Sequence, residues 1–166
     1  MRAVMLLVAI GSVLTLAACQ NRGDSIPEPV SAAVPASKPK IRRFNPTGLM
    51  TPIEWSHVVE VTGGRTIYLA GQTPANKEGK VANDVREQVV QVFENLKTAL
   101  TAAGVGFEGV VDATYYMVDL ADVPVMHEIR GRYIKGDFPA SSLVEVKRLA
   151  RDDFKLEISA IAVAPE

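Results

Sequence analysis

Glu157 is the side chain whose type and spacing best suit it for chemistry. It lies in the run Phe154 to Val163, where Phe154, Leu156, Ile158, Ala160 and Ala162 alternate with Lys155, Glu157, Ser159, Ile161 and Val163. A strand sends these two sets to opposite faces, so Glu157 points away from the apolar set. A carboxylate in that position orients a water or acts as a general base. It is equally suited to pair with Lys155, Lys147 or Arg148 on the sheet, and the spacing leaves both readings open. Ser141, after Pro139 and Ala140, either anchors a ligand or forms a turn. His127 either donates to a ligand or is an exposed helix residue. His57 reads as structural or interfacial. Trp55 walls a pocket, packs at an interface, or does both. The two histidines are 70 residues apart, with no matching Asp/Glu spacing, and give no metal signal. The glycine-containing stretch Gly71 to Lys80 lacks the Gly-Lys-Ser/Thr spacing of a phosphate loop.

Cys19 is the single cysteine in 166 residues. It follows Leu16-Ala17-Ala18, at the end of an apolar run from Ala3 to Leu14 that Arg2 precedes. That run is shorter than the roughly 20 residues a spanning helix needs, and it reads as a secretory signal over residues 1–18. The ending resembles a bacterial lipobox, in which the cysteine is diacylated and becomes the mature N-terminus. An ordinary cleaved signal with a chance cysteine is the other reading. Gln20, not Asp, comes next. In lipoproteins of double-membraned bacteria this implies anchorage to the outer membrane, facing the periplasm. A lipidated Cys19 leaves no thiol for a disulfide, a nucleophile or a metal site.

Residues 19–48 read as a tether. Five of the ten prolines fall there, no apolar periodicity survives, and an extended, largely disordered linker is expected. Five basic residues stand against two acidic ones, a net +3, while residues 49–166 carry a net −5. The basic cluster Lys38 to Arg43 either rests on an anionic lipid surface or solubilises the linker.

Residues 49–166 are the domain, and its elements must position the residues above. His57 to Val61 and Arg65 to Ala70 are β-prone and flank Gly63-Gly64, which predicts a hairpin. One more short strand after Gln72 is an option. Asp84 and Glu87 form a capping-box pattern. Val85, Val89, Val92, Leu96 and Leu100 then recur at helical spacing until Gly104, predicting a helix of about five turns. Gly109 to Asp119 reads as a strand. Asp122 and Pro124 open a second helix that buries Val125, Met126, Ile129 and Tyr133. Strands over Ser142 to Arg148 and Phe154 to Val163 complete the order β-β-α-β-α-β-β. This is an α+β domain with two helices on one face of a mixed sheet. About 120 residues supply no second helical layer, so self-association through the bare sheet face is expected.

The blocks WSHVVEV, GRTIYLAGQTP, QVFENLKTAL, YMVDL, FPASSLVEVKRLA and LEISAIAV run in order from Trp55 to Val163. Together they resemble the Rid family (reactive intermediate deaminases, YjgF type). The resemblance implies a chorismate-mutase-like fold and a homotrimer whose sheets form an inner barrel. It also implies ligand clefts between neighbouring subunits and hydrolysis of small enamines or imines, without a cofactor, to 2-oxo acids and ammonia. By resemblance, Glu157 matches the family's water-orienting glutamate, Trp55 its pocket aromatic and Gly71 the backbone of its Gly-Gln turn. His127 matches a pocket asparagine and Leu143 a cysteine. Ser141 stands where the family keeps the arginine that clamps the substrate carboxylate. Losing that clamp weakens anion binding by about ten- to a hundredfold per bond, because hydrogen bonds to charged groups are worth about 1.5–3 kcal/mol. Arg130 and Arg132 either reach the cleft as substitutes or belong to a solvated helix face. Some relatives are described as endoribonucleases, but an acidic domain without a basic stripe argues against a nucleic-acid partner. Two functions remain: a deaminase using Glu157, and a non-catalytic envelope-tethered trimer that captures a small neutral or aromatic molecule.

Overall fold

In a computed structural model, residues 38–166 are described. The signal segment, Cys19 and most of the tether lie outside them. Strand β1 (Lys40–Phe44) pairs antiparallel with β2 (Val58–Thr62) as a separate two-stranded sheet. After them come β3 (Arg65–Gln72), α1 (Val85–Ala102), β4 (Val110–Met117), α2 (Val123–Tyr133), β5 (Ala140–Glu145) and β6 (Leu156–Ala164). The main sheet has the order β3-β6-β4-β5, with β6 antiparallel to both neighbours and β4 parallel to β5.

Two expectations are corrected here. Lys40–Phe44, read as part of a disordered tether, is a strand. Its side chains find polar partners: Arg42 pairs with Glu60, and Arg43 Nη2 donates to the carbonyls of Glu108 at 2.9 Å and Val110 at 3.0 Å. The predicted hairpin does not form either, because β2 takes β1 as its partner and β3 takes β6. Gly63 and Gly64 do adopt the positive φ of a tight turn, at 73° and 76°. At Gly64 a side chain is also excluded by space, since a Cβ there would lie 2.7 Å from the carbonyl oxygen of Ala164. The extra strand considered after Gln72 does not form: a loop runs from there to α1, and within β3 the register with β6 is irregular between Leu69 and Gln72.

Helix α1 starts as its sequence dictates. The Asp84 side chain accepts from the Glu87 amide at 3.1 Å, satisfying one of the donors a helix start leaves free. Val89, Val92, Phe93, Leu96 and Leu100 then face the sheet, fully buried. From α2 they meet Met126 and Ile129, and from the strands Leu69, Ala113, Tyr115, Met117, Leu156, Ile158 and Ala160. Phe93 stacks on Tyr133 with centroids 5.0 Å apart and planes 12° from parallel, which ties the two helices together. The opposite sheet face carries no helix among the described residues, and Tyr68 is 79% exposed on it.

Candidate functional site

Two side-chain amides on α1, one buried and one half-buried, hold the elements that carry Gly71 and Glu157. Gln88 on α1 is 1% exposed. Its Nε2 donates to the carbonyls of Ala82 at 2.7 Å and Asp153 at 2.9 Å, and its Oε1 accepts from the Lys155 amide at 2.9 Å. Asn95 Nδ2 donates to the carbonyls of Thr73 and Ala75, both at 2.9 Å. One helix therefore fixes both the start of β6 and the chain leaving β3. Between these anchors the Glu157 carboxylate lies directly over Gly71. A Cβ on Gly71 would fall 1.8 Å from Glu157 Oε1, so only glycine accommodates this seat. Among the described residues Glu157 forms an ion pair with none of Lys155, Lys147 and Arg148, and Arg148 faces Asp152 at 3.9 Å.

The second group of residues is built around β5. Ser56 anchors the segment before β2: its Oγ donates to the Phe138 carbonyl at 2.7 Å and its amide to the Pro139 carbonyl at 3.0 Å. His57 is structural. Its ring pairs with the Met50 carbonyl at 2.8 Å, its amide donates to Asn45 Oδ1 at 2.9 Å, and Trp55 packs edge-on at 4.4 Å between centroids. These bonds place Trp55 beside β5. The result is a cavity of about 280 Å³ lined by Ile53, Trp55, Tyr115, Val123, His127, Arg130, Ser141 and Leu143. Trp55, His127, Ser141 and Leu143 thus come together as expected.

Glu157 and Gly71 do not join them within one chain. Ser141 aligns with Ala113 and Leu143 with Tyr115, on the helix-covered face, whereas Glu157 aligns with Tyr116 on the other face. Strand alternation therefore puts the carboxylate and the cavity on opposite sides of the sheet.

Arg130 is the main site residue that the sequence underrated. The solvated-face reading holds for Arg132, which pairs with Glu128 at 3.0 Å at the surface. It fails for Arg130, which is 4% exposed. Spacing carried the signal: residues three apart share a helix face, so Arg130 follows His127 toward the cavity while Arg132 turns away. The Arg130 guanidinium is ion-paired to Glu54 through Nη2. Its carbon lies 5.8 Å from the Tyr115 ring centre and 5.7 Å from that of Phe138. Its Nε is buried without an acceptor. Glu54 precedes Trp55 and holds a left-handed backbone, with φ of 58°. His127 Nδ1 is 3.9 Å from the same Glu54 oxygen. Burial, helped by the Arg130 charge and opposed by Glu54, lowers the His127 pKa and favours the neutral imidazole. Burial likewise raises the Tyr115 phenol. The cavity thus offers apolar walls, a serine hydroxyl, a neutral imidazole and one paired guanidinium.

The profile of the Endoribonuclease L-PSP family matches residues 49–164. Protein DfrA of Myxococcus xanthus is 40% identical over 112 residues, covering 66% of this chain and 85% of that protein. The 2-iminobutanoate/2-iminopropanoate deaminase of Salmonella typhimurium is 38% identical over 111 residues, covering 64% and 86%. Among solved structures, the Rid-family protein YyfB of Yersinia pestis, of unknown function, superposes with a TM-score of 0.68 at 33% identity, covering 74% of this chain and 98% of that one.

Proposed function

We propose, from the premise that this chain belongs to the Endoribonuclease L-PSP (YjgF/Rid) family, that it hydrolyses small reactive 2-imino acids or their enamines to 2-oxo acids and ammonia. The observation that carries this reading is the seat of Glu157 over Gly71, a position that admits a carboxylate and excludes any larger neighbour. Support also comes from the 38%-identical relative named for that activity. In the proposed step Glu157 orients a water and takes its proton. The water oxygen bonds to the imine carbon, the C=N π pair moves to nitrogen, and the proton passes to it, giving a carbinolamine. The carbinolamine hydroxyl then yields its proton through Glu157 to nitrogen, the C=O forms as the C–N bond breaks, and ammonia leaves. No cofactor takes part.

Because Glu157 and the cavity occupy opposite sheet faces, the reading requires a second copy of the chain, and the assembly proposed is a homotrimer. One copy then contributes Trp55, His127, Ser141 and Leu143 to a cleft, and its neighbour contributes Gly71 and Glu157. The exposed Tyr68 on the bare sheet face fits such an assembly. The protein is further proposed to be lipid-anchored at Cys19 in the periplasm, at the outer membrane. Changing Cys19→Ser should release it from membranes, and a mutant that still sediments with them removes the anchor.

The deciding assay is ammonia release from freshly generated 2-iminopropanoate and 2-iminobutanoate. Wild type is expected to accelerate release and Glu157→Ala to abolish the acceleration; equal rates in both remove Glu157 from the reaction. A second reading, a tethered trimer that binds a small molecule without turnover, is favoured by Ser141 and Leu143 at the cavity. A wild type that accelerates nothing but retains a ligand would support it.

A further inference from the structure

One residue of the cavity lining, Arg130, belongs to a charge pair that the proposed hydrolysis leaves without a task. Arg130 is held on α2, 4% exposed, between the rings of Tyr115 and Phe138. Its partner is held far less firmly, for the Glu54 side chain is 40% exposed and sits in an irregular segment with φ of 58°. A guanidinium carries five N–H donors in a fixed fork. Among the described residues Glu54 is the acceptor bonded to it, and buried Nε has none. The cation is buried, whereas its counter-ion already reaches solvent.

We propose that Arg130 is the carboxylate clamp of this site, supplied from helix α2 in place of the arginine that Ser141 replaces on β5, and that Glu54 is a resident carboxylate which the ligand's own carboxylate displaces. The inference rests on the reading of this cavity as the substrate pocket. The exchange keeps the buried cation paired throughout, avoiding the large cost of an isolated buried charge. Displaced Glu54 is solvated at the surface. The incoming anion meets the guanidinium edge that Glu54 leaves, and Ile53, Trp55, Val123 and Leu143 wall the cavity around it. The ligand class is therefore a small carboxylic acid with a short apolar side chain, which on the proposed function is a 2-oxo or 2-imino acid. Glu54 makes the clamp selective, because a neutral amide offers the guanidinium only an uncharged acceptor and competes poorly with a carboxylate.

The test is calorimetric titration of the full chain, in detergent, with 2-oxobutanoate and with its neutral amide. Wild type should bind the acid in preference to the amide. Arg130→Met should weaken acid binding about ten- to a hundredfold and leave the amide unchanged. Glu54→Gln, which removes the competitor, should tighten acid binding about tenfold. A structural tether would behave in the opposite way: Glu54→Gln would loosen the segment and leave acid binding equal or weaker, which overturns the proposal. So does acid binding undetectable in both wild type and Glu54→Gln. If Arg130→Met fails to fold, the Glu54→Gln result decides alone. Ammonia release from 2-iminobutanoate, read in parallel, separates the two ideas. Arg130-dependent binding without Glu157-dependent ammonia release keeps the clamp and removes the deaminase. Glu157-dependent release that Arg130→Met leaves untouched removes the clamp and keeps the deaminase.

Discussion

On the helix-covered side of the main sheet, the cavity at Ser141 and Leu143 pairs apolar walls with the Arg130–Glu54 ion pair. On the other side Glu157 stands over Gly71, held there by a glycine's missing side chain and by two helix amides beneath it. On the proposed reading the first region recognises a guest, and the second holds one carboxylate in one place. Strand alternation separates them across one sheet, so a side-chain change in one region does not touch the other directly. Changes on one side should therefore alter binding or turnover selectively.

The largest expected effect is at Glu157. Glu157→Ala should lower imine hydrolysis about a hundredfold or more, the usual contribution of a positioned acid–base group, while 2-oxobutanoate affinity in the cavity stays near wild type. Loss of both would erase the distinction between the two regions. Gly71→Ala is next. Its Cβ would displace Glu157 Oε1, which sits 1.8 Å from that point, and only the end of a flexible side chain has to move. The fold should survive with an unchanged melting temperature, and kcat should fall about ten- to a hundredfold, the scale expected of a misplaced catalytic group. Unchanged kcat would mean that the seat does not matter. Ser56→Ala should cost about 1 kcal/mol in chemical denaturation, the usual net worth of one hydrogen bond, and should loosen ligand binding by freeing the segment that carries Glu54 and Trp55.

The smallest effect lies away from both regions. Arg86 and Arg132 hydrogen-bond Glu128 and hold its carboxyl down to about 2, from 4.5. A depressed folded-state pKa stabilises above the unfolded value and loses that stabilisation as pH falls. Melting temperatures of wild type and Glu128→Gln should therefore differ slightly at pH 7 and converge as pH drops from about 4.5 toward 2. High salt should shrink the difference, because the pair is exposed.

Much of this arrangement is legible in the chain. The alternation in β6 places Glu157 on the bare face and Ile158 and Ala160 in the core, as observed. Asp84 and the spacing of Val89, Val92, Leu96 and Leu100 define α1 closely. Local signals are less informative about partners. Gly63 and Gly64 take the turn conformation their types suggest, yet strand pairing is settled by distant surfaces: β6 for β3 and the basic β1 for β2. Lys40–Phe44 was opaque because its stabilising contacts are to Glu60 and to carbonyls more than 60 residues away. Arg130 was underrated because a basic residue on a helix is ordinarily solvated. Its burial depends on Glu54, 76 residues earlier, whose approach no local pattern announces.

Subunit mixing tests the proposed division of labour most directly. One variant, Leu143→Trp, fills the cavity; the other, Glu157→Ala, removes the carboxylate. Each alone should be inactive toward 2-iminobutanoate. When the two are unfolded together and refolded at equal amounts, roughly a quarter of the clefts in random trimers should pair an open cavity with an intact carboxylate, and activity should return to about that fraction of wild type. A mixture as inactive as its components would contradict a site shared between copies.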